Sequence, residues 1–335
     1  FVAMDLTAPP PLFGPTAYVL DVSTLPLAPP SRADGPLHQY RLSPTGHALV
    51  TVRIGPPQSF TLHVTQWSTV FTAMPESLHP NEVFLIQDLV WSADGAVVAY
   101  AVSEPNGSGG HVAGNTYAVD ISGGPPYVPR LLGTHCGSLT FASVRRLLLC
   151  DASPGPGVAE VRVYDLTDLS SPRTIVTNPA GTVASGGIFT PDERHVIYRA
   201  REPFRSEAYC VEIAGQTPGT PQRLHPSLPE GQHVQRIAVS PDSRKVVLFG
   251  DLELDDEYDV YGVDISGASP GPLTRLSVHP ITGGGDPSTE SFVFTRDSRH
   301  VYFTFGIEQT SRFLQAAPLE PLGLATTVVL APFTP

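Results

Sequence analysis

The chain has 335 residues, 41% of them hydrophobic, with 32 acidic against 20 basic side chains and a formal net charge of −12. The hydrophobic content excludes a wholly disordered chain, and an acidic balance without any basic run interleaved with aromatics argues against nucleic acid as a partner. Apolar runs such as 324–333 fall far short of the roughly 20 residues that span a bilayer. The 36 Pro and 30 Gly call for many short elements joined by turns.

The chain opens on FVAMDLTAPP, with no initiator Met, basic start or following apolar stretch, so no signal peptide is read there. That fits a mature or trimmed chain and leaves export open. Two strand-like patterns come first, FVAMDL and TAYVLDVS (16–23). From Leu42 a ten-residue unit then recurs without gaps: LSPTGHALVT, WSADGAVVAY from Trp91, FASVRRLLLC from Phe141, FTPDERHVIY from Phe189, VSPDSRKVVL from Val239 and FTRDSRHVYF from Phe294. Successive copies begin 49, 50, 48, 50 and 55 positions apart. A period near 50 indicates a repeat architecture.

Each copy reads as a β-hairpin: an apolar residue, a Ser/Thr-Pro-Asp-Gly-like turn, then alternating apolar positions. Asp and Ser close such turns on the local backbone, and Pro presets φ. The third copy lacks Pro, Asp and Gly, so a different turn is expected there. A third strand follows each hairpin, as in NTYAVDISGG (115–124) and YDVYGVDISG (258–267), and a poorer fourth one as in PRTIV (172–176) and QRL (222–224). Four strands per 50 residues describe a propeller blade.

The predicted fold is therefore all-β, a β-propeller of four-stranded antiparallel blades forming one domain over 1–335. The expected divisions are a partial blade at 1–37 and blades at 38–82, 83–135, 136–181, 182–232, 233–285 and 286–335. Seven blades are expected, six full repeats plus a partial blade shared by the termini, with PFTP (332–335) supplying its missing strand. Six blades with an N-terminal appendage is the alternative. The WSADG and VSPDS turns, followed by YAVDISGG and YGVDISG, resemble the WD40-like repeats of TolB-type propellers, seen also in propeller domains of prolyl-oligopeptidase and dipeptidyl-peptidase relatives. The resemblance covers essentially the whole chain and implies a fold. Its motif residues form turns and core rather than a site.

The recurring Asp94, Asp192, Asp242 and Asp297 read as turn residues, and the histidines lack metal-ligand spacing. HExxH and phosphate-loop patterns are absent from the sequence. Cys136 and Cys150 flank the third hairpin, where antiparallel pairing would bring them nearly opposite each other. Both a disulfide and two reduced core cysteines stay open there, and a disulfide would imply an oxidising compartment. Cys210 is expected to be buried and unpaired.

The surface candidate is DLELDDEYD (251–259), expected beside 281–291 on one face, gathering Asp251, Glu253, Asp255, Asp256, Glu257, Asp286 and Glu290. Such a cluster suits a basic protein partner or a cation; no other cofactor is expected. The resulting functional expectation is a non-catalytic scaffold for protein interaction or ligand binding, resembling TolB and placed in the periplasm or outside the cell, with the cytoplasm as the alternative. The rivals are a polysaccharide-lyase-type or peptidase-associated propeller with a site in the central channel, and a self-assembling subunit of a surface structure.

Overall fold

The computed structural model describes residues 2–5, 16–19, 31–32, 37–55, 59–66, 76–79, 83, 85–105, 111–155, 158–167, 173–178, 183–215, 217–278, 292–307 and 311–328. Among them every helix or strand is a strand, 27 in all, arranged in seven sheets. The first sheet has three strands, β1 (Val2–Asp5), β2 (Thr16–Val19) and β3 (Ser31–Arg32). The other six have four each, in sequence order.

The second sheet holds β4 (Leu37–Leu42), β5 (Ala48–Gly55), β6 (Ser59–Gln66) and β7 (Glu76–Ser77); the third holds β8 (Leu85–Trp91), β9 (Val97–Pro105), β10 (His111–Asp120) and β11 (Arg130–Gly133). The fourth contains β12 (Cys136–Phe141), β13 (Leu147–Gly155), β14 (Val158–Asp165) and β15 (Arg173–Asn178). In the fifth lie β16 (Val183–Phe189), β17 (His195–Glu202), β18 (Arg205–Glu212) and β19 (Gln222–Arg223). The sixth is built from β20 (Val234–Val239), β21 (Lys245–Gly250), β22 (Asp259–Asp264) and β23 (Thr274–Arg275). The seventh runs β24 (Phe292–Phe294), β25 (His300–Ile307), β26 (Ser311–Pro318) and β27 (Thr326–Val328). Residues 332–335, assigned above to ring closure, lie outside the described residues.

The chain forms two compact units, residues Phe1–Phe141 with Tyr164–Pro172, and Ala142–Val163 with Arg173–Pro335. In the first, Val50, Leu62, Leu78, Leu89, Val98 and Val119 pack into a core around Tyr100. The Tyr100 hydroxyl donates to the Leu78 carbonyl at 3.0 Å and lies 3.1 Å from His79 Nδ1, so this histidine is a partner of the core rather than a ligand. The second unit carries three apolar clusters, centred on Val196 and Tyr198, on Val246 and Leu248, and on Phe249 and Phe303. All six residues of β21 are buried, which is why KVVLFG reads as a nearly continuous apolar run rather than an alternating one. Each such aliphatic or aromatic side chain contributes about 1.5–3 kcal/mol on burial.

The repeated turns are built as their chemistry predicts. The hydroxyls of Ser92, Thr190 and Ser240 donate to Oδ1 of Asp94, Asp192 and Asp242, and each carboxylate also accepts the amide two residues beyond it. Asp297 accepts the Arg299 amide in the same way. Asp120, Asp165 and Asp264 close the turns after their third strands on Ser122, Thr167 and Ser266.

Candidate functional site

Asp251 opens the β21–β22 connection and is buried, with 0% exposure. Its Oδ1 accepts the His233 amide at 2.6 Å, tying the loop to the segment that leads into β20. Burial raises its pKa, opposed by the amides of His233, Asp251 and Asp256. Asp259, at the other end, is also buried; Ser277 Oγ donates to it at 2.6 Å and Arg275 Nη2 lies 3.0 Å away. Two buried carboxylates thus clamp the loop at both ends. Between them Glu253, Leu254, Asp255 and Asp256 are exposed and Glu257 is half-buried.

The acidic set of the sequence reading is therefore divided. Asp251 belongs to the interior, because the loop backbone needs an acceptor where it leaves the sheet, and it does not join the exposed acids. Asp286 and Glu290 lie outside the described residues. Among the described residues no group of three or more His, Cys, Asp or Glu is placed to hold a metal ion.

A neighbour the sequence did not suggest completes this surface. Phe204 sits at the tip of the β17–β18 hairpin, 67% exposed, and its carbonyl accepts the Gly231 amide at 2.7 Å. Gly231 has φ +95°, and a Cβ built there would fall 3.0 Å from the Asp255 carboxylate. Phe204 and the 251–259 loop, with Leu254 58% exposed, therefore meet around one glycine. Glu230 stands exposed beside it.

A second polar centre is built from β13 of the fourth sheet, β16 and β17 of the fifth and β20 of the sixth. The register of β16 on β17 slips between Ser185 and Ile188, placing Gly186 and Gly187 in a bulge. A Cβ on Gly187 would lie 2.5 Å from Leu149 Cδ2 and 3.2 Å from Asp151 Oδ1, so the bulge presses on β13 at a spot only glycine fits. Asp151 is 9% exposed; burial raises its pKa against the pull of the Gly187 and Gly186 amides and of Arg199. Arg199 lies over Gly186 and donates to the Gln235 carbonyl. Burial lowers its pKa, and the charges of Arg201 and Arg236 lower it further while Asp151 opposes them. The one sequence signal for this centre was the alternation of Arg199 and Arg201 within RARE, one strand away from a double glycine.

A larger cleft of about 740 Å³ runs between the turns at Asp192 and Asp242 and the loop at Ser266. Its charges of both signs are used internally or nearby, Arg194 with Glu212 at 3.6 Å and Arg244 with Glu320 at 3.7 Å. Its walls are the repeat's own turn residues. Cys136 and Cys150 are disulfide-bonded, and Cys210 is a free, buried thiol whose pKa is pushed up to about 12 by burial.

No protein-family model and no curated protein matches the chain. Among solved structures, an oligogalacturonate lyase in complex with manganese is 13% identical with a TM-score of 0.51, covering 91% of this chain and 83% of that one. Prolyl oligopeptidase B from Galerina marginata is 12% identical with a TM-score of 0.54, over 88% of this chain and 42% of that one. The chain has a β-propeller fold. The propeller spans less than half of the peptidase's length. TolB from Acinetobacter baumannii is 16% identical over 96% of this chain and 79% of that one, with a TM-score of 0.43. At these identities the likeness to the lyase and the peptidase shows the fold alone.

Proposed function

We propose that this propeller is a non-catalytic binding scaffold that engages a basic, partly apolar protein segment at the surface formed by Phe204, Leu254 and the acids Glu253, Asp255 and Asp256. The observation that carries the reading is the meeting of two loops from different sheets at Gly231. It presents two exposed large apolar side chains beside exposed acids, Leu254 on a loop held at both ends by buried carboxylates and Phe204 on a hairpin tip tied to Gly231 by its carbonyl. A pre-organised loop loses little entropy on binding, and aromatic anchors ringed by charge are what partner surfaces use. Among the described residues no helix is long and apolar enough to cross a membrane. The disulfide-bonded Cys136 and Cys150 support a site of action outside the cytoplasm.

The test is fluorescence anisotropy with labelled amphipathic peptides that alternate Arg or Lys with Leu or Trp. Saturable binding, weakened by salt, is expected. Phe204→Ser with Leu254→Ser leaves the charge unchanged and is expected to weaken it at least tenfold. Equal binding by that variant overturns the surface.

A further inference from the structure

His225, just past β19 in the fifth sheet, is 6% exposed and has both ring nitrogens engaged. The Ala208 amide donates to Nε2 at 2.8 Å, and Nδ1 lies 2.7 Å from the Pro226 carbonyl. The amide can only donate and the carbonyl only accept, so the ring is neutral with its one proton on Nδ1. A second proton would stand at Nε2 and point at the Ala208 N–H. The two must then part.

The sixth sheet carries the same joint without a titratable ring. There the Leu276 amide donates to the Val260 carbonyl at 2.7 Å and the Val260 amide to Ser277 Oγ at 3.0 Å, just as the Leu224 amide donates to the Ala208 carbonyl at 3.0 Å and Ala208 to His225. Glu207 and Arg223 stand where Asp259 and Arg275 stand. A hydroxyl therefore suffices for the fold at this place, and the imidazole adds a response to pH.

His225 begins a strap, residues 225–232, that runs along the β17–β18 hairpin to the surface proposed above. Further on, the Leu228 amide reaches Glu207 Oε1 and Arg205 Nη1 reaches the Leu228 carbonyl, both long at 3.4 Å. The Gly231 amide then donates to the Phe204 carbonyl at 2.7 Å and the Ser206 amide to the Gln232 carbonyl at 3.3 Å. Gly231 is the residue at which Phe204 and the Asp255 loop meet. Release at His225 leaves the stretch before Gly231 to the two long bonds and the apolar packing of Leu228.

Two charges act on the ring: Glu207 of β18 favours its cation and Arg223 of β19 opposes it. Glu207 is already engaged, by the Tyr209 hydroxyl at 2.6 Å and Arg223 Nε at 3.3 Å. Tyr261 of the sixth sheet and Cys210 of β18 share an apolar cluster with Leu224 and Leu228; burial raises both, and they stay neutral. Burial lowers the pKa of His225 from its ordinary 6.5, so its contribution is whole above 6.5 and is lost as pH falls through the folded value.

We infer that His225 is a proton-operated fastening of the Phe204 surface: neutral, it holds the strap on β18, and protonated it lets the strap lift, so that acid weakens peptide binding. The binding half rests on the function proposed above; the fastening does not. Hydrogen exchange of the whole chain over 226–232, corrected for the intrinsic effect of pH, should lose about tenfold of its protection between about pH 7.5 and about pH 5. Peptide affinity should fall about threefold over that range, following the fraction of molecules with the strap closed. His225→Ser copies the joint of the sixth sheet and keeps every other titratable group. It should flatten both profiles and bind as the wild type does at the higher pH. Nitrogen NMR of the wild-type imidazole should show a protonated Nδ1 and a bare Nε2 there. The opposite tautomer, exchange indifferent to pH, or a pH response that survives in His225→Ser would each overturn the inference. Exchange that responds while affinity does not would overturn the control of binding. If no peptide binds at either pH, the surface reading fails, and exchange and NMR still decide the fastening.

Discussion

The carboxylates of this chain divide by burial, and pH separates them. The Asp264 side chain is 39% exposed and pairs at 2.7 Å with Lys245, whose side chain is 6% exposed. Burial alone would raise Asp264, but hydrogen bonds from Lys245 and Ser266 outweigh it and hold the pKa at about 2. A depressed pKa stabilises the fold above the unfolded value near 3.8, and that contribution is lost as pH falls toward 2. Asp264→Asn should therefore cost about 1 kcal/mol at neutral pH, a modest figure because solvent screens a half-exposed carboxylate. Melting curves of the two proteins should approach each other as pH falls from about 4 toward 2, a window set by that depressed pKa. A gap that persists at pH 2 would refute the pairing as its source. Asp151 runs the other way: its pKa is raised, so its contribution is present below 3.8 and lost as pH rises through the folded value. Asp151→Asn should gain melting temperature relative to wild type as pH rises from 4 to 7. A growing deficit would show that the attraction to Arg199 outweighs the burial.

Among the elements, the third hairpin shows how one repeat compensates for another. FASVRRLLLC has lost the Pro, Asp and Gly that close its counterparts. In its place Glu193, from the next hairpin, is 2% exposed and accepts the amides of Val144 and Arg145 as well as Arg145 Nε at 2.7 Å. In the later copies the matching residues are Ser243 and Ser298, whose hydroxyls accept the Asp192 and Asp242 amides. All three residues stand at positive φ. The glutamate is thus the long-armed version of a serine that elsewhere reaches back to a normal turn. Glu193→Ala should leave two amides unpaired and cost about 2 kcal/mol, whereas Ser243→Ala removes a single acceptor and should cost about 1 kcal/mol. Chemical denaturation compares the two, and an equal cost would argue against the compensating role. At the loop surface, Gly231→Ala should strain a backbone held at φ +95°, displace Asp255 and weaken peptide binding.

For the whole molecule, thiol chemistry gives a direct check. Native protein should react with no equivalents of a thiol reagent, since Cys210 is buried with its pKa at about 12, and unfolded, unreduced protein with one. Two further thiols on unfolding would remove the support for export. What the sequence determined by itself was the repeat, the strand positions within it and the propeller fold, because turn chemistry and two-residue alternation act over a few neighbours and recur every 50 or so residues. The structural role of the turn aspartates was legible for the same reason. It could not separate Asp251 from Asp255, four residues apart, because which one is buried depends on the His233 amide from another strand connection. Nor could it bring Asp255 to Gly231, or Arg199 to the Gln235 carbonyl, since those meetings join different repeats. Only packing of one sheet's loops and strands against the next decides which side chains converge, and the proposed binding surface is made of such a convergence.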